Sequence, residues 1–171
     1  MEIISYVISG ALEHKDSLGT GSVLRPGEIQ RMTAGTGITH SEFNPSQVEP
    51  VHFLQIWITP SEQNLTPSYE QVDVQNRLTS GRLHLIASPN GGENIVTVHQ
   101  DVMLYAGVFE GDESACFQRS ADRHVWLHMV RGQLTVNGAV LSAGDGAFTS
   151  DIQILDMKAG SSAEVLLFDL A

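Results

Sequence analysis

The densest chemical signal in the chain is Thr33-Ala34-Gly35-Thr36-Gly37-Ile38-Thr39-His40-Ser41-Glu42. Two glycines allow a tight backbone turn, and the segment after them places His40 and Glu42 at i and i+2. On a strand those side chains share one face. An imidazole and a carboxylate pointing together into a barrel are two of the ligands needed for a site that selects Fe(II) or a similar divalent ion and leaves positions for substrate or oxygen. Two ligands alone rarely hold such a metal. The same short pattern also occurs as a solvated strand face or as a hydrogen-bonded core pair, and spacing does not separate these readings.

The other histidines offer less. His14, in Leu12-Glu13-His14-Lys15-Asp16, sits in a charged stretch and reads as an exposed cross-strand partner. His52 and His84 alternate with apolar residues and read as half-buried strand positions, and His99 falls at a strand end. His124 and His128 lie in a strand-like run, where an i, i+4 pair is about 13 Å apart, too far for one metal. Cys116 has no basic neighbour before Arg119 and reads as a small buried residue. No motif supports Ser-His-Asp catalysis, and no Gly-rich phosphate loop precedes a helix.

The elements that must position these residues are strands. Short β-branched runs stand at Glu2–Ile8, His52–Ile58, Ile95–Val98, His124–Val130 and Gln133–Val136, separated by turn signals such as Pro26-Gly27, Asn137-Gly138 and Gly144-Asp145. Their number and spacing predict an all-β sandwich or barrel. Helical periodicity is weak except around Glu70–Leu78, where a turn or two of helix is expected.

The chain also resembles itself. Val7-Ile8-Ser9-Gly10-Ala11-Leu12 parallels Met129-Val130-Arg131-Gly132-Gln133-Leu134, and Leu24-Arg25-Pro26-Gly27-Glu28 parallels Leu141-Ser142-Ala143-Gly144-Asp145. The first copy carries the longer hairpin loop, at Ser17–Ser22. Strand-like sequence from Arg82 to Arg131 precedes Gly132, whereas only nine residues precede Gly10. The first copy is therefore expected to lack its opening strands, leaving backbone edges that another chain or segment must cover.

Composition narrows the function. A length of 171 residues with 42% hydrophobic content allows one large or two small domains with a proper core. Twenty acidic residues against nine basic ones leave a net charge of −11, which disfavours direct contact with nucleic acid or anionic lipid. One cysteine excludes an intrachain disulfide and a Cys-rich zinc site, and fits a reducing cytoplasm. No run reaches the roughly 18 apolar residues of a bilayer span.

The runs Gly10–Gly19 and Leu24–Glu42 closely resemble the pirin family of cupins. The likeness continues through Phe53–Ile58, the Pro60 to Gln71 linker and Gln100–Gly107. It implies an all-β fold of two cupin domains, each a double-stranded β-helix or jelly roll, with the first incomplete. Residues 1–72 would form the shortened N-terminal domain with its linker, and 73–171 the C-terminal domain. Pirins hold one metal with a His-x-His pair and the His and Glu of a His-Ser-Glu motif. The second pair matches His40 and Glu42, while Glu2 matches the acidic position that follows the first pair. The expectation is thus an amino-terminally truncated chain that lacks two metal ligands.

Two functions follow from the resemblance. As a quercetin 2,3-dioxygenase, the protein would use Fe(II) or another divalent metal (Ni, Mn, Cu or Zn), with His40 and Glu42 as ligands and Glu42 as the catalytic base toward a small aromatic flavonol. Loss of two ligands would weaken metal binding or leave the site without an ion, and would impair turnover. The alternative is a non-catalytic regulatory module that binds a protein partner. Uncovered strands would also favour a homo-oligomer.

Overall fold

In the computed structural model, which describes Met1–Ala171, the regular structure is entirely strand. In chain order the strands are β1 (Glu2–Ser9), β2 (Leu12–Asp16), β3 (Gly21–Leu24), β4 (Glu28–Thr33), β5 (His40–Phe43), β6 (His52–Ile58), β7 (Ser68–Asp73), β8 (Arg82–Ser88), β9 (Val96–Thr97), β10 (Val102–Gln118), β11 (His124–Val136), β12 (Ala139–Ser142), β13 (Gly146–Thr149) and β14 (Ile154–Leu170). No helix is long and apolar enough to cross a membrane. Two compact units form, Met1–Asn76 with Ser88–Gln100 and Arg77–Ala87 with Asp101–Ala171.

The first unit contains a four-stranded antiparallel sheet, β6-β1-β4-β7, and a three-stranded one, β3-β2-β5. Strand β1 is central in its sheet and buried from Glu2 to Ile8, so its sequence reads as a nearly continuous apolar run. Period-two alternation puts Ser5 and Val7 on one face of β1, and Leu12 and His14 on one face of β2. Val7, Leu12 and Leu24 form an apolar cluster with Val51 and Phe53 against it. From that end the same faces continue into Ser5 and His14, so one interior passes from apolar to polar.

In the second unit β10 and β14 each run 17 residues and pair with each other, with register shifts around Phe109–Gly111 and Gly111–Ser114. Such shifts bend a long strand and let it close a core. That core is apolar and includes Phe109, Val125, Leu127, Met129, Leu134 and Val165.

The internal duplication has a structural counterpart. Leu12 faces Leu24 across β2 and β3, and their sequence counterparts Leu134 and Leu141 face each other across β11 and β12. Gly10 and Gly132 both have left-handed backbones, with φ of 76° and 69°. A Cβ at Gly10 would lie 2.4 Å from the Pro50 carbonyl oxygen, and one at Gly132 would lie 2.2 Å from that of Ser162. Gly132→Ala is therefore expected to destabilise the protein by more than the ~1–2 kcal/mol of left-handed strain alone, as read by denaturant titration. A smaller loss would mean that the backbone at Ser161–Ser162 moves aside easily.

Four expectations are corrected. The segment expected to turn helically around Glu70–Leu78 begins as strand β7, because Gln30, Arg31 and Met32 pair with its residues 69–71 and satisfy its backbone as a sheet. Cys116 is exposed, since β10 turns that alternate face outward near its end. His52 is exposed at the start of β6 rather than half-buried. His14 is fully buried, because it shares the inward face of β2 with Leu12 while Lys15 points out to solvent.

Candidate metal centre

The register of β2 against β5 builds the site. His14 pairs with Glu42 and Asp16 pairs with His40, so four residues at alternate positions of two neighbouring strands share one face. The imidazole and carboxylate expected at His40 and Glu42 are thus brought together, with His14 added. Ligand atoms of His14, His40 and Glu42 all lie within 4.8 Å of one another. The His14 and His40 rings are 5.6 Å apart at their centroids.

Glu42 is held by donors from the opposite sheet. Ser5 Oγ donates to Oε1 at 3.0 Å, Gln30 Nε2 to Oε1 at 2.9 Å, and Gln55 Nε2 to Oε2 at 2.5 Å. Trp57 Nε1 in turn donates to Gln55 Oε1 at 3.1 Å, which orients that amide. These three strands, β1, β4 and β6, therefore aim their polar residues at one carboxylate.

His14 Nε2 lies 3.1 Å from Asp16 Oδ2. The other oxygen of Asp16 accepts from the Leu18 and Thr20 amides at 2.9 and 3.0 Å. Burial opposes the charge on Asp16, but the His14 bond and the two amides outweigh it and hold the carboxyl below its usual range. Tyr69 stacks at 4.9 Å from His14, and its hydroxyl contacts Ser22, Gln30 and Gln71. Burial first, then the charges of Glu28, Glu42 and Asp16, push its pKa up against the bond from Ser22. Its phenol stays protonated at neutral pH and serves as a donor.

Two buried nitrogens have no hydrogen-bond partner, His14 Nδ1 and His40 Nδ1. Buried polar atoms are rarely left unsatisfied, and two imidazoles with a carboxylate are a donor set suited to divalent iron, nickel or manganese. The residues present therefore fit a metal. His14, Asp16 and the tethers Ser5, Gln30 and Gln55 are not distinguishable in the sequence as site residues. The one signal was the His14-x-Asp16 spacing, which repeats the period of His40-x-Glu42.

The histidines of β11 do other things. His124 Nδ1 lies 2.8 Å from Ser150 Oγ and its ring stacks on Phe148. The remaining histidine outside the site that carries a clear role is His99, whose backbone amide and Nδ1 both meet the buried Glu2 carboxylate at 2.7 Å. Thr33 Oγ1 donates to the same carboxylate at 2.7 Å. Glu2 is thus a structural acid of β1.

Comparison with known proteins agrees with this architecture. Residues 1–58 match the family model described as Pirin, and residues 85–170 match that of the quercetinase C-terminal cupin domain. The chain is 44% identical over 170 residues to quercetin 2,3-dioxygenase of Escherichia coli (strain K12), covering 99% of this chain and 72% of that protein. Among solved structures, the bacterial pirin YhhW of Escherichia coli in complex with nickel(II) superposes with a TM-score of 0.91 at 44% identity, over 99% of this chain and 72% of that one. The Escherichia coli protein YhaK superposes with a TM-score of 0.85 at 28% identity, over 99% and 74% of the two chains. Strand order, paired glycines and sequence together show that this chain belongs to the pirin family of cupin proteins.

Proposed function

We propose that the first unit is a divalent-metal dioxygenase centre that acts on a flavonol such as quercetin. The observation that carries this reading is the inward pair His40 and Glu42, with buried imidazole nitrogens that lack any protein partner. The relative named a quercetin 2,3-dioxygenase and the nickel(II) complex of a pirin support it. His40 and Glu42 would hold the ion, with Fe(II) favoured by the donor set and Ni, Mn, Cu or Zn as alternatives. When bound, the metal supplies Lewis acidity toward the flavonol's 3-hydroxyl and toward O2.

The chain's own residues do the rest. Glu42 takes the proton of the 3-hydroxyl, and Ser5, Gln30 and Gln55 keep its carboxylate aimed at it. The overall reaction adds both atoms of O2 to the flavonol and releases one carbon as carbon monoxide, leaving a ring-opened ester.

The test uses tag-free protein loaded with Fe(II) or nickel(II). Metal-dependent loss of quercetin with carbon monoxide release is expected. A loaded protein that consumes no oxygen on any flavonol overturns the reading. The second reading, a regulatory module, rests on the net charge of −11, which suits a basic protein surface. Capture of one stoichiometric basic partner together with absent oxygen consumption would favour it.

A further inference from the structure

We propose that the second unit carries its own binding pocket for a small, neutral aromatic molecule, at the position that the polar cluster occupies in the first. No residue of that cluster takes part, so the pocket stands apart from the metal reading.

Strand register fixes the correspondence between the units. Ser5 pairs with Gln30 in the first unit as Leu127 pairs with Ala147 in the second. Ser5 also pairs with Gln55, as Leu127 does with Leu167. His14, two residues beyond Leu12, pairs with Glu42, and Val136, two residues beyond Leu134, pairs with Met157. His40 precedes Glu42 by two residues, as Leu155 precedes Met157. Every polar position is thus matched by an apolar one, and Leu127, Val136, Leu155, Met157 and Leu167 belong to a single core.

That core does not close at one end. Val136, Ala147 and Leu155, with Leu141 and Thr149, line a cavity of about 230 Å³. It stays open because the inward positions there are small: Ala139 pairs with Val136 and Ala147 with Leu127. Ala139 is exposed and Ala147 half-buried, so apolar surface that continues the core meets solvent.

The lining sets the class of ligand. An apolar cavity of ~150 Å³ holds benzene, and drug-sized ligands need roughly 300 Å³ or more. A space of about 230 Å³ between those limits suits one or two fused rings. None of the lining residues is charged, so an ion entering it would lose hydration without gaining a partner. Asn137 is spent within the protein, its Nδ2 donating to the Ile154 carbonyl at 2.9 Å and its Oδ1 accepting from the Asp156 amide at 2.6 Å. Thr149 Oγ1 accepts from the Asp151 and Ile152 amides at 3.3 and 3.0 Å, which occupies its lone pairs and leaves its O–H to donate. Thr149 pairs with the core residue Val125, which puts it on the inward face. A ligand with one acceptor oxygen, such as an aryl ketone, uses that proton.

The experiment titrates the full chain with 2-acetylnaphthalene, two fused rings bearing one ketone, and follows assigned methyl resonances by NMR. Shifts are expected at Val136, Leu141 and Leu155 and not at Val7, Leu12 or Leu24. Naphthalene should bind about 5- to 10-fold more weakly because it lacks the acceptor, and 2-naphthoate should not bind. Thr149→Val should lower the affinity for 2-acetylnaphthalene to that for naphthalene and leave naphthalene unaffected. Ala147→Phe and Ala139→Phe fill the space from two different strands, and each should abolish binding. The methyl spectrum of each variant without probe shows whether it folds.

No shift at the three second-unit methyls, or shifts confined to the first unit, overturns the pocket. Undiminished binding in a folded alanine variant does the same. Binding of 2-naphthoate as tight as that of the ketone overturns the neutral class, and equal weakening of both neutral probes by Thr149→Val overturns the role of its hydroxyl. Shifts of the same methyls on raising protein concentration without probe would assign the space to a second copy of the chain and overturn the small-molecule reading.

Discussion

Glu42→Gln is expected to lower the rate of flavonol ring opening by about 10²- to 10⁴-fold, the usual contribution of a positioned general base. The amide is close in shape to the carboxylate, so the loss reports chemistry more than packing. It also disturbs its tethers in a definite way. The carboxylate accepts two bonds at Oε1, from Ser5 and Gln30, and one at Oε2, from Gln55. A glutamine can offer only one acceptor oxygen, so if it faces Ser5 and Gln30 its NH2 meets the NH2 of Gln55. Turning the Gln55 amide to present oxygen would break the bond from Trp57 Nε1. A stability loss of about 1 kcal/mol, one hydrogen bond's worth, should therefore accompany the loss of rate. Denaturant titration gives the first number and quercetin consumption under saturating metal gives the second. A variant with unaltered turnover would remove Glu42 from the proton-transfer role.

Phe109→Ala is expected to cost about 3–5 kcal/mol of stability. Phe109 is 1% exposed and packs in the apolar core of the second unit with Val125, Leu127, Met129 and Val165. The cavity it would leave has little means of collapsing. Gly160 already lies so close that a Cβ there would be 2.6 Å from Phe109 Cβ and from its carbonyl oxygen, so the two backbones are in contact at a register shift. Chemical denaturation of the variant reads the effect. A loss below about 1 kcal/mol would show that β10 and β14 close the gap by sliding at that shift.

The two units share a hairpin plan but differ in what lines their interiors. In the first, Leu12 and Leu24 lead along the same faces to His14, Glu42 and Gln30. In the second, Leu134 and its neighbours continue into Met129, Leu127 and Val125. Polar side chains in an interior are costly unless they satisfy one another or a ligand. Such a cluster lines the first unit, whereas the corresponding face of the second is apolar.

Much of this was legible in the residues alone. Alternation and turn signals specified an all-β chain, because strand period and glycine turns are local properties. The run His52–Ile58 coincides with β6, and the matched glycines and leucines foretold the repeated hairpin. The His40-x-Glu42 pair was visible because two residues on one strand share a face whatever surrounds them. What only the tertiary structure decided was the partnering across strands. The pairing of β2 with β5, strands far apart in the chain, lays His14 opposite Glu42. A shift of one residue would have turned His14 outward, as its charged neighbours Glu13 and Lys15 suggested. Burial of Glu2, tethering of Glu42 by Ser5, Gln30 and Gln55, and exposure of Cys116 likewise depend on which strands lie beside which, and nearest-neighbour sequence carries no information about that pairing.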